Sequence, residues 1–192
     1  MDLQDVEAAA GPLAARFGIR PPTVTSGRVP KSIKRGVRAK VWWGSRLGLV
    51  IDPAAERLEQ DVLKGELASM MAAFTLRWTF ITRFVLALGA ALICEFAIMT
   101  LLADTPAWAQ DLIFYAGTAI WVGLFIVLYR DLIYRSDRKA VEVVGAGPLL
   151  AVLEAERQHP SNSWFYLWAL PSADRRAERI TPPVIPSTTD AP

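Results

Sequence analysis

The residue types that most often carry covalent or metal chemistry are scarce in this sequence of 192 residues. Cys94 is the one cysteine and His159 the one histidine, so an internal disulfide and a histidine-clustered metal site are excluded. The motifs G-x-x-x-x-G-K-[ST], G-x-G-x-x-G and G-x-S-x-G are also absent from the sequence. We therefore expect no nucleotide-binding or serine-hydrolase chemistry and no cofactor.

Glu95 lies within a long apolar segment. An ionised carboxylate at the centre of a bilayer costs at least ~2.5 kcal/mol, so we expect this side chain to be protonated, paired or turned toward protein. One interpretation is a hydrogen bond to Thr118 of a neighbouring helix, and the other is contact with a polar group of another membrane subunit. Small residues give the two apolar segments faces suited to close helix packing, namely Ala87, Ala91, Ala119 and Gly123.

A basic stretch precedes these segments, since no acidic residue occurs between Glu7 and Asp52. Its densest run, KSIKRGVRAK, supplies the candidate lipid or partner contacts Lys31, Lys34, Arg35, Arg38 and Lys40. At a membrane surface each cation attracts anionic lipid headgroups by about 1 kcal/mol. An acidic protein partner and a solvated polar loop are the alternatives. Nucleic acid is not expected, because apolar segments follow the run.

An aromatic cluster and a proline-rich tail end the chain. Trp164, Phe165, Tyr166 and Trp168 form the cluster, in which Trp164 and Trp168 are further candidate lipid or partner contacts. The cluster could dock on the membrane surface, on the N-terminal region or on another protein. Residues 180–192 are predicted to be disordered unless a partner holds them.

Two apolar segments separate these polar regions. Residues 84–103 contain one charge, Glu95, and residues 112–129 contain none. About 20 apolar residues cross the ~30 Å hydrocarbon layer as a helix, so the pattern predicts a transmembrane hairpin over residues 84–129. The alternative is a pair of buried helices in a soluble α-domain, but a chain this short could hardly bury both on every face.

The charges around the hairpin predict its orientation. The connecting segment DTPAWAQD contains two aspartates and no basic residue. Basic residues flank the hairpin on its other side, namely Arg77, Arg83, Arg130, Arg135, Arg138 and Lys139. By the positive-inside rule, both flanks and both termini of this multi-pass cell-membrane protein are expected to be cytoplasmic.

The flanks predict a small cytoplasmic α/β portion on a mainly α membrane protein. Residues 1–83 are predicted to contain an amphipathic helix over residues 3–18 and a β-hairpin around Gly44-Ser45. A helix from Pro53 then leads into the first span. Residues 130–179 predict a cytoplasmic helical region with a break near GAGP.

The order of these parts resembles that of the integral-membrane zinc metallopeptidases of the HtpX and CAAX-prenyl-protease type. Those proteins have H-E-x-x-H on a helix, a transmembrane hairpin, and then E-x-x-x-D on a following helix. Here KGELASMM precedes the hairpin and LIYRSDRKAVEVVGAGPLLAVLEA follows it, while LPSADRRAERI is similar to the family's H-P-x-x-x-x-R-I ending. The resemblance covers roughly residues 12–181.

Matched to that family, the two histidine ligands fall on Gly65 and Ser69, and the glutamate ligand falls on Ile133. Glu66 matches the general base, and Asp137 matches the acid that orients a ligand histidine. A zinc peptidase needs three protein ligands and an open position for water. Glycine and isoleucine side chains have no donor atom, and a serine hydroxyl is a poor ligand. The resemblance therefore implies a pseudoenzyme that has lost its zinc ligands.

From these features we predict a non-catalytic accessory or scaffold subunit of a larger membrane protein complex. Its expected partners are other membrane protein subunits and anionic lipid headgroups. The alternative function is a membrane-embedded metallopeptidase with unconventional metal ligands. Zinc analysis of the purified protein distinguishes the two hypotheses.

Overall fold

A computed structural model describes residues 3–30, 36–41, 46–53, 58–102, 104–159 and 168–181 of the chain. The described part is mostly helical, with a small sheet near the N-terminus. In chain order its elements are α1 (Leu3–Arg16), β1 (Thr23–Ser26), β2 (Val37–Val41), β3 (Leu47–Ile51), α2 (Gln60–Leu101), α3 (Ala107–Val144), α4 (Ala146–Gln158) and α5 (Ala173–Ile180).

Helix α1 confirms the amphipathic helix predicted over residues 3–18. Its buried residues are Val6, Ala10, Leu13 and Ala14, whose spacing places them on one helical face. At its C-terminal end, Arg16 Nη2 donates a hydrogen bond to the carbonyl oxygen of Val143. This contact joins the start of the chain to the end of α3.

The sheet has the strand order β1-β3-β2, with β1 parallel and β2 antiparallel to β3. Strands β2 and β3 confirm the predicted hairpin, and Val37 pairs with Ile51 in its register. The turn at Gly44-Ser45 lies outside the described residues. Central strand β3 buries Leu47, Leu49 and Ile51, which alternate along the strand and therefore lie on one face, turned toward the core. No strand was predicted at β1.

The helix predicted from Pro53 begins later, because residues 58–59 are not helical and α2 starts at Gln60. Residues 54–57 lie outside the described part. The predicted spans are portions of two longer helices, α2 with 42 residues and α3 with 38 residues. At 1.5 Å per residue these helices are about 63 Å and 57 Å long, roughly twice the thickness of a hydrocarbon layer.

The predicted break near GAGP is confirmed, because α3 ends at Val144 and α4 begins at Ala146. Gly145 connects them with a φ of 85°, a backbone conformation that residues other than glycine rarely adopt. Helix α5 begins after Ser172, whose Oγ accepts a hydrogen bond from the Arg175 backbone N–H at 3.4 Å. Residues 182–192 of the predicted disordered tail lie outside the described part.

One hydrophobic core joins α1, the sheet, the first part of α2 and the start of α4. Leu67 and Met71 of α2 and Leu149 of α4 are fully buried in it. On α2 the core ends at Phe74, and none of the described residues between 75 and 135 is buried. The distal parts of α2 and α3 therefore extend away from the core as a pair.

Candidate functional site

An apolar belt surrounds the paired distal parts of α2 and α3. Apart from Trp168, all exposed large hydrophobic side chains of the described part lie between Trp78 and Val127. Both helices are long and apolar enough to cross a membrane, with mean hydropathies of 2.3 and 2.1 in segments where no residue is buried. A helix pair in a soluble core would be mostly buried. In the apolar segments of these two helices, by contrast, no residue is buried.

Aromatic rings join the two helices at the end of the belt nearest the core. The rings of Phe84 and Phe125 meet edge to face with 5.6 Å between centroids, and Phe80 meets Tyr129 in the same way at 6.3 Å. Such pairs contribute about 0.5–1.5 kcal/mol beyond the area they bury. They fix the spacing of α2 and α3 where the pair leaves the core.

Glu95 faces α3 at Gly117. A β-carbon placed on Gly117 would lie 3.1 Å from the Glu95 Oε1 atom, so the carboxyl group occupies the space that this glycine leaves. Gly117 is the residue next to Thr118, the predicted partner of Glu95. The Thr118 hydroxyl donates to the carbonyl oxygen of Phe114 at 2.9 Å. In the described part of the chain Glu95 has no hydrogen bond or ion pair, including the predicted one to Thr118.

The small residues predicted to pack helices differ in exposure. Ala87 and Ala91 of α2 are half-buried, whereas Ala119 and Gly123 of α3 are exposed. A β-carbon on Gly123 would meet no atom within 4 Å. The small-residue face of α3 is therefore turned away from α2.

A charged cluster lies at the core-side edge of the belt. Asp131 Oδ2 accepts a hydrogen bond from Arg83 Nη1 at 3.2 Å and forms an ion pair with Arg135, whose Nε lies 2.8 Å away. All three side chains are between 43% and 48% exposed. This cluster bridges the two helices directly beyond the aromatic pairs.

Two further arginines lie near the same edge. Arg130 Nη2 donates to the carbonyl oxygen of Trp168 at 3.0 Å, and the Trp168 side chain is 59% exposed. Arg77 lies over the ring of Phe74, and the distance from its guanidinium carbon to the ring centroid is 3.5 Å. Burial lowers the pKa of Arg77. Trp168, which precedes α5, therefore lies at the edge of the apolar belt, where Trp78 is also exposed.

The other predicted lipid or partner contacts are only partly described. Arg38 and Lys40 are exposed on β2, one residue apart on the same side of the strand. Lys31, Lys34, Arg35 and Trp164 lie outside the described residues.

At the first peptidase-like position, α4 packs directly against α2. A β-carbon on Gly65 would lie 2.2 Å from the carbonyl oxygen of Pro148 and 2.7 Å from Val152 Cγ2. Backbone atoms cannot yield to such a contact as a flexible side chain does, so a histidine at Gly65 does not fit this packing. Ser69, one helical turn later, has a buried hydroxyl without a hydrogen-bond partner in the described part.

Glu66 and Asp137, two other peptidase-like positions, face the same buried guanidinium, that of Arg176. Arg176 Nε donates to Asp137 Oδ2 at 2.8 Å and Arg176 Nη2 donates to Asp137 Oδ1 at 2.7 Å. A third bond runs from Arg176 Nη1 to Glu156 Oε2 at 3.1 Å. Burial lowers the pKa of Arg176, but bonding to Asp137 and attraction by Asp137, Glu156 and Glu66 outweigh it and raise that pKa overall.

The residues at these positions do not fit a zinc ion. Gly65 and Ile133 offer no donor atom, and both carboxylate oxygens of Asp137 are bonded to Arg176. Within the described ranges no group of three His, Cys, Asp or Glu residues is arranged to hold a metal. The guanidinium is the cation that these carboxylates surround.

Arg176 was not among the residues singled out from the sequence. It lies three residues after buried Ala173 and four before half-buried Ile180, so it shares the packed face of α5. A cation on the apolar face of a helix requires a buried partner of opposite charge. That spacing is the signal by which the sequence could have indicated an ion pair.

In comparisons with protein-family models, curated proteins and solved structures, the chain has no match. Its own geometry therefore defines the candidate site. The site has two parts, an apolar two-helix pair edged by arginines and a buried ion-pair cluster formed by Arg176, Asp137 and Glu156.

Proposed function

We propose that this protein is a membrane-anchored, non-catalytic subunit of a larger membrane complex, built on a degenerate peptidase-like fold. The apolar hairpin crosses the bilayer, and both flanks lie on the cytoplasmic side. The exposed belt supports this anchoring, because solvent-exposed apolar surface of this extent is unfavourable in water. The basic edge of the belt supports the orientation.

The observation that carries the non-catalytic role is the bonding of Arg176 to Asp137. Both carboxylate oxygens are engaged by one guanidinium at 2.7 and 2.8 Å, within packing that buries both side chains. A metallopeptidase instead needs such an acid to orient a metal ligand. In this chain the same acid attaches α5 to α3.

Association with other membrane subunits is supported by the outward face of α3. Ala119 and Gly123 are exposed one helical turn apart, so another helix can approach the α3 backbone closely there. Glu95 lies in the same hairpin at its contact with Gly117 and adds a polar group at membrane depth. At the membrane surface, Trp168 beside Arg130 contacts lipid headgroups, and the exposed cations of β2, on the same proposed side of the membrane, attract anionic lipid.

Purification of the tagged full-length protein in mild detergent, followed by mass spectrometry of co-eluting proteins, tests this function. We expect membrane proteins to co-purify with the wild type and to be lost from the variant Ala119→Leu/Gly123→Leu. Ala97→Leu, on an exposed position of α2, is the matched control and should retain them. A wild type that elutes alone would contradict the subunit role, and near-stoichiometric zinc would support the peptidase alternative.

A further inference from the structure

A groove lies between α2 and α3 at the core-side edge of the apolar belt. Its floor is apolar and includes Phe80, Leu128 and Leu132. Arg83 and Arg135 also line the groove, together with Asp131, which contacts both of them. The groove therefore combines an apolar surface with two guanidinium groups.

The depth of this groove corresponds to the headgroup layer of a bilayer. Val127 is the last exposed large apolar residue of the belt on α3, and Asp131 follows it by four residues. Four helical residues span about 6 Å. On α2, Arg83 lies between Val85 and Trp78, a tryptophan of the kind enriched at the membrane–water interface. A bilayer has ~30 Å of hydrocarbon within a total of about 40–45 Å, which leaves roughly 5–7 Å for each headgroup layer.

The charges favour an anion. One oxygen of Asp131 holds both guanidinium groups, through Arg83 Nη1 and Arg135 Nε. Each guanidinium has five N–H donors in all, and the described contacts of these two arginines use one nitrogen each. Two cations and one carboxylate leave the cluster with a net charge of +1.

We propose that this groove binds the phosphate of one anionic phospholipid, with the start of its acyl chains against Phe80 and Leu128. Arg83 and Arg135 donate to the phosphate oxygens, and Asp131 offsets one of their two positive charges. A zwitterionic lipid binds less well, because its cationic headgroup meets a net positive cluster. The inference rests on the proposed membrane insertion of the hairpin, but it does not depend on any protein partner.

Native mass spectrometry of the delipidated full-length protein in detergent tests the proposal. Phosphatidylglycerol and phosphatidylcholine are titrated separately, and binding of the first lipid molecule is measured. We expect tighter binding of phosphatidylglycerol, and a roughly 30-fold loss in Arg83→Gln/Arg135→Gln from the removal of two cations. Arg138→Gln/Lys139→Gln removes two neighbouring cations of α3 outside the groove and should retain most of the affinity.

Asp131→Asn provides a second test that does not rely on removing the arginines. It raises the net charge of the cluster to +2, so phosphatidylglycerol should bind about 5-fold more tightly. Unchanged or weaker binding in this variant would overturn the proposal, as would equal losses in the two double variants. Displacement of the lipid by inorganic phosphate alone would overturn the role of the apolar floor.

The two proposals fail in different ways. A hairpin that does not insert into the membrane would remove both of them. An inserted protein that binds both lipids equally in every variant would overturn the lipid site alone and leave the subunit function standing.

Discussion

Replacing Arg176 by glutamine should release α5 from α3 and α4. The substitution removes a guanidinium that makes two hydrogen bonds to Asp137 and one to Glu156. The Asp137 side chain is 4% exposed, so it would remain as a buried carboxylate without its counter-charge. Helix α5 has only eight residues, and an isolated helix of that length is not stable in water.

Breaking a buried ion pair on one side typically costs about 3–5 kcal/mol. Glutamine retains one donor group, so we expect a loss near the lower end, about 3 kcal/mol. That value corresponds to exchange of the α5 amides roughly two orders of magnitude faster, where exchange reports local opening. Because the pKa of Arg176 is raised above its already high usual value, its contribution should not fall between about pH 7 and pH 10.

Hydrogen exchange measured by mass spectrometry on peptides covering residues 168–181 checks this expectation. Arg175→Gln is the matched control, because Arg175 is the exposed neighbour on the same helix and should exchange like the wild type. Asp137→Asn/Arg176→Gln removes both charges and should recover more than half of the loss. Exchange in Arg176→Gln within a factor of about two of wild type would refute the reasoning, since that is under 0.5 kcal/mol.

Three other predictions concern the packing and the membrane hairpin. Gly65→Ala should speed amide hydrogen exchange in α4, because overpacking costs about 1–3 kcal/mol and the gain in helix propensity is only about 1 kcal/mol. Gly89 has open space around it, so Gly89→Ala should leave this exchange unchanged. A reporter inserted at Ala107 should report an extracytoplasmic position and reporters at both termini cytoplasmic ones, so a cytoplasmic signal from the loop would reverse the topology. Glu95→Lys should lower the yield of inserted protein far more than Glu95→Ala, because it places a cation beside Gly117 at membrane depth. Equal yields of the two variants would mean that Glu95 does not face α3.

The sequence predicted the elements whose signals are local. The amphipathic spacing in α1, the β-branched and aromatic residues around Gly44-Ser45, and the glycine-rich break before α4 are local signals, and all three predicted features were found. Strand β1 was missed because four mostly exposed residues carry almost no periodic signal. Its place is set by parallel pairing with β3, which lies more than 20 residues away.

The candidate site was only partly predictable for the same reason. Glu66 and Asp137 were noticed through the family resemblance, but their common partner Arg176 lies 39 residues beyond Asp137. The sequence pattern also did not predict that α2 starts at Gln60 rather than at Pro53, because Leu58 continues the apolar spacing of the helix. Local pattern therefore predicted the helices better than their contacts or their ends.

The continuity of α2 has a mechanical consequence. Residues 60–83 form the inner section of a helix that runs without interruption into the apolar belt, and at 1.5 Å per residue that section is about 36 Å long. In a bilayer, a helix pair responds to changes in hydrocarbon thickness by changing its tilt. With a stiff rod as the connection, a tilt of roughly 10° would swing the far end of that section by about 6 Å. The thickness of the surrounding lipid would then set where the sheet and α1 stand relative to the membrane surface.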